Sequence, residues 1–253
     1  MKRETTLARK EPDGLQDDPA GKATLDVVAG ACRFNRWMYR TIRPFCSGKI
    51  LEIGSGIGNI SRFFIEDHQQ IMLSDIREDY CTYLSGEFGN SPNVLGIEVL
   101  DLTDPAFDTR FSGHFGKFDT VFALNVVEHI SDDGLALKNC HKLLASGGQV
   151  VILVPSYQKL YNRFDRELGH CRRYTKTSLS RVFSAAGFRV VHRQYFNFAG
   201  IFGWYFSGNI LKNRIIPGSQ MRLYEKLMPV IKILDRIVLK RAGLSTILVG
   251  RKI

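Results

Sequence analysis

A regular alternation of short apolar runs with helical patterns constrains this chain more than any other feature. Seven of the runs are typical of β-strands, and most of the first five are separated by stretches with helical periodicity. Strands that alternate with helices favour a parallel sheet with helices on both faces. We predict a doubly wound α/β fold, whose strands are residues 49–54, 71–75, 93–101, 118–125, 147–155, 188–197 and 245–253.

Length and composition indicate one globular domain, which we assign to residues 25–253. A chain of 253 residues with 44% hydrophobic residues can bury a sizeable core. Residues 1–24 carry many charges and no apolar core, so we predict a disordered tail rather than a secretory signal. The sequence contains no uninterrupted apolar run of about 18 residues, so we predict no transmembrane helix. The five scattered cysteines lack a CxxC pair and are typical of reduced thiols in a cytoplasmic protein.

A glycine-rich segment follows the first predicted strand and opens the next helix. It runs from Glu52 to Gly58 with the sequence EIGSGIG. Glycines allow the backbone to approach a ligand closely, and the free N–H groups at a helix start attract polar or anionic atoms. NAD enzymes, other nucleotide-binding folds and plain tight turns all use such a loop, so this segment alone does not separate them.

Polar side chains end the next three predicted strands. Asp75 lies 17 residues after Gly58, where a carboxylate can accept hydrogen bonds from both hydroxyls of a ribose. Asp101 ends the third strand, where it can receive an adenine amino group, and Asn125 ends the fourth. Each of these residues alone is commonly a turn residue or a helix cap. Because the strand ends of a doubly wound sheet converge on one crevice, we expect all of them in a single pocket.

Taken together, these motifs resemble those of class I S-adenosylmethionine-dependent methyltransferases. The resemblance covers about residues 30–195 and is carried by LEIGSGIG, Asp75, the pair Asp101 and Leu102, FDTVFALNVVEHI and LLASGGQVVILVP. The pair Glu128 and His129 and the segment GHCRRY are similar to the branch that includes ubiquinone-type O-methyltransferases. The resemblance implies a Rossmann-like seven-stranded sheet of order 3-2-1-4-5-7-6, with an antiparallel last strand preceded here by a helical insertion.

The resemblance also implies S-adenosyl-L-methionine as the cofactor and assigns its contacts by position. The predicted cofactor-binding residues are Glu52, Gly54, Ser55, Gly56, Gly58, Asp75, Ile76, Asp101, Leu102 and Asn125. The aromatic helix before the first strand adds Tyr39, which we expect to close over the cofactor. The alternative for Tyr39 is that this helix simply packs on the sheet.

Two histidines are candidates for a catalytic base. His129 follows the fourth strand, and His170 lies in a polar, aromatic segment, residues 156–174, that we predict to be a lid. Beside His170, the residues Arg172, Arg173 and Tyr174 suit an anionic or phenolic substrate. The alternative is that both histidines only order their loops. We predict no metal, because the upstream ligand position of ubiquinone-type relatives is Asn125 here, a poorer ligand than a carboxylate.

The insertion before the last strand, residues 198–244, contributes to a strongly basic C-terminal part. From Gly208 to Ile253 there are ten basic residues against two acidic ones. Within 221–241, an apolar stripe of Leu223, Leu227, Ile231, Leu234 and Val238 predicts an amphipathic helix, with Pro229 kinking it or starting its second half. Such a helix is typical of a segment that lies on an anionic membrane, and residues 208–241 would form the contact here. The equally supported alternative is that its apolar face packs on the domain and walls the substrate pocket.

The predicted acceptor is therefore a small, apolar or lipid-linked molecule, methylated on oxygen, with N- or C-methylation as alternatives. No Asn/Asp-Pro-Pro-aromatic motif follows the fourth strand and no Pro-Cys nucleophile occurs, so nucleic acid is an unlikely partner. We expect a cytoplasmic protein, peripheral on the inner face of a membrane. Two rival classes stay open: an NAD-dependent oxidoreductase, which predicts no antiparallel C-terminal strand, and a catalytically silent S-adenosylmethionine-binding module.

Overall fold

Seven strands form one sheet in the order β3-β2-β1-β4-β5-β7-β6. The computed structural model describes residues 19–211 and 217–253. Strand β7 runs antiparallel to both β5 and β6, whereas the other neighbouring pairs are parallel. The strands are β1 Ile50–Ile53, β2 Ile71–Asp75, β3 Val94–Val99, β4 Phe118–Leu124, β5 Leu144–Pro155, β6 Phe188–Phe196 and β7 Ser245–Lys252. The predicted order and the antiparallel last strand are confirmed, and the oxidoreductase rival's prediction for that strand is wrong.

Helices cover the sheet, and short turns of tighter helix connect several elements. The α-helices are α1 Pro19–Ala29, α2 Cys32–Ile42, α3 Ser61–Glu66, α4 Glu78–Phe88, α5 Phe107–Arg110, α6 Asp133–Leu143, α7 Arg163–Glu167, α8 Lys176–Ala185, α9 Phe198–Tyr205 and α10 Gly218–Ile237. The region 103–116 forms only α5 and a single 3₁₀ turn, in line with its Phe, Asp and Gly content. Among the described residues, no helix is both long enough and apolar enough to cross a bilayer.

The N-terminal elements differ from the predicted tail and single helix. Residues 1–18 lie outside the described residues, but 19–24 belong to α1. The aromatic helix before the first strand, expected over about residues 25–42, is split between α1 and α2. Helix α1 packs against the glycine-rich loop, where the carbonyl of Leu25 accepts a 3.4 Å hydrogen bond from the Asn59 side chain. The Asn35 amide donates to the carbonyl of Val28 at 2.8 Å, which satisfies the last turn of α1.

The core lies on both sides of the sheet because consecutive strand residues point to opposite faces. In β1, Ile50 joins the apolar cluster under α2, α3 and α4, whereas Leu51 joins the cluster under α6 and α8. Every residue of β1 is buried, as expected for a strand covered on both faces. The sheet is therefore a rigid base that leaves only the strand ends and their loops open to a ligand.

The insertion between β6 and β7 consists of α9, a π-helical turn over Phe206–Ile210, and α10. Helix α10 begins three residues before the predicted helix and continues through Pro229. Because Pro229 has no N–H, the carbonyl of Glu225 lacks its usual helical donor, and it accepts a 3.5 Å hydrogen bond from the Arg33 guanidinium instead. The predicted apolar stripe is divided: Ile231 is buried, whereas Leu223, Leu227 and Leu234 are exposed.

Candidate active site

A cavity of about 1090 Å³ lies at the carboxyl ends of β1, β2 and β4 and beside the turn after β3. Its remaining walls come from α1, α2, the predicted lid 156–174, α9 and α10. This volume is slightly above the usual range for ligand pockets, about 300–1,000 Å³, and leaves room for two small molecules. Twelve predicted site residues line it: Glu52, Gly54, Ser55, Gly56, Asp75, Ile76, Asp101, Leu102, Asn125, His129, His170 and Arg173.

The glycine-rich loop and Asp75 face each other across one end of the cavity. The N–H of Gly56 donates to Asp75 Oδ2 at 2.8 Å, and the N–H of Arg77 donates to Oδ1 at 3.0 Å. Gly54 has a φ of 72°, and a Cβ there would lie 2.4 Å from Val126 Cγ2. The loop therefore needs glycine at 54 both for its backbone conformation and for close packing on the segment after β4.

Two buried carboxyl groups lie at this end of the cavity. Burial raises the pKa of Glu52 to about 7, although a hydrogen bond from Ser61 Oγ opposes the shift. Burial also raises the pKa of Asp75, against the two backbone N–H donors that stabilise its charge. Both groups line the cavity, so a ligand that brings a positive charge and hydroxyl groups would restore the favourable interactions that burial removes.

The turns after β2 and β3 form an apolar slot with a polar edge. Ile76, 40% exposed, and the buried Leu102 both line the cavity. Asp101 accepts hydrogen bonds through Oδ1 from the N–H of Thr103 at 2.7 Å and from its hydroxyl at 2.8 Å. This leaves Oδ2 of Asp101 for a ligand donor, so the slot suits a flat ring that carries an amino group.

The segment after β4 brings an acid and a histidine to the cavity. Asn125 has a left-handed φ of 54° and starts a tight turn into the 3₁₀ helix Val127–His129. Glu128 is fully buried, neither carboxyl oxygen has a hydrogen-bond partner among the described residues, and burial raises its pKa to about 8. Glu128 thus lines the cavity as an acid whose charged form is disfavoured by burial.

The two predicted histidines meet in the cavity. The rings of His129 and His170 are 4.7 Å apart and nearly perpendicular, at 85°. Together with Glu128 they offer donor atoms that all lie within 4.8 Å of one another, a set that can hold a metal ion. These three groups could either bind a metal ion or transfer protons. That the site works without a metal therefore stays a prediction.

His170 is held in place by a buried ion network within the lid. Its Nδ1 lies 2.8 Å from Asp165 Oδ1, and the guanidinium of Arg173 donates to the same oxygen at 2.7 Å. Burial pushes the pKa of Asp165 upward, but the hydrogen bonds from His170 and Arg173 outweigh it and keep the pKa below its ordinary value. An ionised Asp165 accepts a hydrogen bond from the Nδ1–H of His170, so in the neutral imidazole Nε2 is the nitrogen that carries no proton.

Two predicted cofactor residues lie outside the cavity. Tyr39 packs on Phe63 and Phe64, and its hydroxyl donates to the side chain of Asp67. The physical reason is helical phase, since Met38, one position earlier on α2, faces the cavity instead. Gly58 also does not line the cavity: a Cβ there would lie 2.4 Å from the Phe88 ring, so this glycine allows the loop to pack on α4.

The predicted substrate residues are mostly used within the protein. Arg172 donates to Asp133 at 2.8 Å and to the carbonyl of Ser131 at 2.6 Å, and the hydroxyl of Tyr174 donates to Asp133 at 2.8 Å. These contacts fasten the lid to the start of α6, and Arg172 and Tyr174 themselves do not line the cavity. Arg173 does line the cavity, but its guanidinium is buried against Asp165 and lies 4.5 Å above the ring of Trp204.

Several lining residues were not predicted from the sequence. Helices α1 and α2 contribute an apolar and amide wall, and the insertion contributes a second wall; the lining residues are Leu25, Val28, Phe34, Asn35, Met38, Phe164, Trp204, Met221 and Tyr224. The buried Oδ1 of Asn35 has no partner among the described residues and is available to a ligand. Asp165 was missed too, although the spacing Asn162 to Asp165 is that of a helix-capping box.

The sheet order, the antiparallel β7 and the glycine loop facing Asp75 together define a class I S-adenosylmethionine-dependent methyltransferase. A family model described as a methyltransferase domain matches residues 30–193, which is more than half of the chain. The chain belongs to this methyltransferase family, and S-adenosyl-L-methionine is its cofactor. The oxidoreductase interpretation is thereby overturned, and the enzyme class predicted from the motifs is confirmed.

Three similar proteins are named as methyltransferases, and the two whose names give a substrate differ in it. The chain is 29% identical over 114 residues to a polyketide methyltransferase of Ustilaginoidea virens, a match covering 42% of this chain and 25% of that protein. A methyltransferase structure from Archaeoglobus fulgidus is 19% identical, with a TM-score of 0.56, over 86% of this chain and 94% of the other. A structure of Haemonchus contortus phosphoethanolamine N-methyltransferase 2 bound to S-adenosyl-L-methionine is 16% identical, with a TM-score of 0.57. This match covers 86% of this chain and 52% of the other.

The curated relatives are much longer than the matched region. The first two are covered over only 4% and 25% of their own length. Their likeness therefore supports the methyltransferase domain itself, and says nothing about the remainder of those proteins.

Proposed function

We propose that this enzyme transfers the methyl group of S-adenosylmethionine to the hydroxyl oxygen of a small, apolar or lipid-linked acceptor, with His170 as the general base. The observation that carries the proposal is the Asp165–His170 pair, in which Nδ1 is hydrogen-bonded at 2.8 Å and the ring lines the cavity. A hydroxyl is a poor nucleophile until its proton is removed, and a positioned base contributes about 10²–10⁴-fold to such a step.

The residues present fit the cofactor. Glu52 and the loop of Gly54 and Gly56 would hold its methionine part, Asp75 its ribose, and Asp101 the amino group of its adenine. When bound, the cofactor supplies a methyl group that is already activated by its sulfonium. The protein's own task is to exclude water and to align the acceptor, and orientation alone can supply roughly 7–11 kcal/mol.

The base acts through an atom that the lid keeps available. Because the Nδ1–H of His170 donates its hydrogen bond to Asp165, Nε2 of His170 takes the acceptor's hydroxyl proton as the oxygen attacks. The resulting imidazolium is stabilised by the ionised Asp165, whose charge is itself fixed by Arg173. His129, whose ring lies 4.7 Å away, is the predicted second base and would pass the proton on towards solvent, since its side chain is exposed.

The acceptor half of the cavity supports an apolar substrate. The walls from α2, the lid and the insertion carry Phe34, Phe164, Trp204 and Met221. Polar groups also lie on these walls, among them Arg166 and Glu167 of the lid, and several are hydrogen-bonded within the protein, as with the Trp204 Nε1 donor and the Leu160 carbonyl at 3.3 Å. Such a wall favours rings or alkyl chains over sugars or peptides.

Carbon methylation is the second candidate: the 29% identical relative is named a polyketide methyltransferase, and a polyketide offers methylene carbons beside carbonyls as well as hydroxyl oxygens as acceptors. An activated methylene between two carbonyls also loses a proton to a base, so His170 would serve either acceptor. Nitrogen methylation requires only a neutral amine and gives the Asp165–His170 pair no role.

The lipid-linked form of the acceptor also implies a partner surface. We propose that the enzyme works at an anionic membrane, to which the basic segment 208–241 is attracted. Residues 212–216 of this segment lie outside the described residues, so the argument rests on the remainder.

A matched set of acceptors tests the proposal. Three compounds with one long-chain aromatic skeleton, bearing a phenol, an aniline or a 1,3-dicarbonyl, are incubated with enzyme and methyl-labelled cofactor, and products are identified by mass spectrometry. We expect methyl ether from the phenol and about a 10²–10⁴-fold loss of kcat in His170→Ala at unchanged S-adenosylhomocysteine affinity. His68→Asn, at an exposed turn, is the control. Full activity of His170→Ala, or product from the aniline alone, contradicts the proposal.

A further inference from the structure

The outer surface of the insertion carries most of the exposed apolar side chains of this protein. Twelve of the eighteen large apolar side chains that are exposed in the described residues lie between 202 and 239. They are Phe202, Tyr205, Phe206, Ile210, Leu211, Leu223, Leu227, Val230, Ile233, Leu234, Ile237 and Leu239. We call this set the outer face of the insertion. Exposed apolar residues elsewhere occur singly, which is normal for a globular protein, but a cluster of this size is typical of an interaction site.

The outer face follows the helical period of α10. Leu223, Leu227, Val230, Leu234 and Ile237 succeed one another at spacings of three and four residues, which places them on one side of the helix. A second side, roughly a third of a turn away, is buried against the domain through Met228, Ile231 and Asp235. Helix α10 therefore has two apolar sides, one filled by the core and one left open among the described residues.

Both acidic residues of α10 point inward and are used there. Glu225 accepts hydrogen bonds from the N–H groups of Arg33 and Phe34 at 2.9 and 2.8 Å, where it caps the start of α2. Asp235 is buried and accepts from the N–H of Phe198 at 2.8 Å, at the start of α9. No carboxylate is therefore left beside the outer face on α10.

Cations, in contrast, surround the outer face. Arg222, Lys226 and Arg236 are exposed on α10, and Lys240 and Arg241 are exposed just after it. Lys232 is the exception: it lies on the inner side near Arg40 and Arg33, and burial together with these charges lowers its pKa. The outer face is thus apolar with a basic rim, which is complementary to lipid chains under anionic headgroups.

The inner sides of the same helices wall the active-site cavity. Gly200, Gly203 and Trp204 of α9 and Met221 and Tyr224 of α10 all line it. The two helices meet where the Gln220 side chain donates to the carbonyl of Gly203 at 3.2 Å. The wall between the cavity and the outer face is therefore a single helix thick.

We propose that the outer faces of α9 and α10 dock on an anionic lipid bilayer, which brings the α9–α10 wall of the cavity against the membrane. The inference rests on the proposed function in taking the acceptor to be membrane-resident. A second copy of this chain is a poorer occupant, since a two-fold contact through this face would bring its basic rim against an identical one.

Vesicle flotation tests the docking without any acceptor or turnover. The full chain is floated with phosphatidylcholine vesicles and with vesicles that also contain phosphatidylglycerol. We expect binding to the anionic vesicles only. The apolar variant Leu223→Ser/Ile237→Ser should bind at least about tenfold more weakly, and Lys226→Glu/Arg236→Glu should lose its preference for phosphatidylglycerol. Leu95→Ser and Arg189→Glu, exposed on the sheet side of the molecule, are the matched controls and should bind like wild type.

The outcomes separate this inference from the proposed function. An unchanged thermal shift with S-adenosylhomocysteine shows that each variant is folded. No flotation of wild type, or equal flotation of all variants, overturns the docking even where the phenol is methylated in solution. Light scattering that shows a dimer dispersed by Leu223→Ser/Ile237→Ser assigns the face to a second copy and equally overturns it. Flotation with no methyl ether formed leaves the docking standing and removes the proposed reaction.

Discussion

Glu128 gives the fold a pH dependence that can be measured directly. Burial raises its pKa to about 8, the charge of Arg173 opposes this shift without cancelling it, and neither oxygen has a partner among the described residues. An acid with a higher pKa in the folded chain than in the unfolded chain binds more protons when folded. Its contribution to stability is therefore fully present below the unfolded pKa and is lost as pH rises through the folded pKa.

The magnitude follows from the shift. Between about pH 5.5 and about pH 9, ionisation of Glu128 should reduce the free energy of unfolding by about 3 kcal/mol, since one pKa unit corresponds to about 1.4 kcal/mol. Glu128→Gln has the shape of the protonated acid and does not ionise. Relative to wild type, its Tm should rise by roughly 6–12 °C over this pH range, because 1 kcal/mol shifts the Tm by roughly 2–4 °C at this chain length.

Calorimetric or fluorescence melting of the ligand-free proteins at the two pH values provides the assay. The difference between variant and wild type isolates Glu128 from Glu52, which titrates in both proteins. Glu87→Gln, on the exposed side of α4, is the control and should follow wild type at both pH values. If the Glu128→Gln and wild-type melting temperatures run parallel from pH 5.5 to 9, the carboxyl group ionises freely and the reasoning from burial is refuted.

Three other measurements separate structural from ligand-contacting roles. Tyr39→Phe should lower the free energy of unfolding by about 1 kcal/mol, because the hydrogen bond to Asp67 is lost. The calorimetric Kd for S-adenosylhomocysteine should stay unchanged. Weaker binding would show that Tyr39 contacts the cofactor. Gly54→Ala should weaken S-adenosylhomocysteine binding at least about tenfold, and adding Val126→Ala to that variant should partly restore the affinity. An unchanged Kd in Gly54→Ala would contradict a role of this loop in cofactor binding. Cofactor affinity should fall as pH drops below about 7 and Glu52 becomes protonated, and Glu52→Gln should flatten the profile; a flat wild-type profile contradicts this.

The sheet was predictable because its signals are local. Strand β1 is buried on both faces, so its sequence ILEI is almost wholly apolar, and the polar residue Asp75 ends β2 where the next turn begins. The start of helix α1, residues 19–24, was not predictable in this way. Its order depends on contact with the glycine-rich loop some thirty residues later, through Leu25 and Asn59, and no periodicity within 19–29 reports that contact.

The strand-end side of the cavity was likewise predictable, and the lid side was not. The predicted polar residues come one after each strand, so their order along the chain indicates a shared pocket, and most of them do line it. The role of Arg172 depends instead on Asp133, 39 positions away, and a sequence does not reveal that such an arginine is already paired. Tyr39 and Met38 are adjacent, and only the orientation of α2 on the sheet decides which of them meets the ligand.

The two ends of the insertion leave and rejoin the sheet side by side. The N–H of Leu244 donates to the carbonyl of Asn197 at 2.9 Å, and Phe196 of β6 is paired with Ser245 of β7. A segment whose ends already touch can be exchanged for one of another length at a modest entropic expense, because closure depends only weakly on loop length. Residues 198–244 should therefore tolerate exchange for a segment of another length while the sheet and the glycine-rich loop keep their structure.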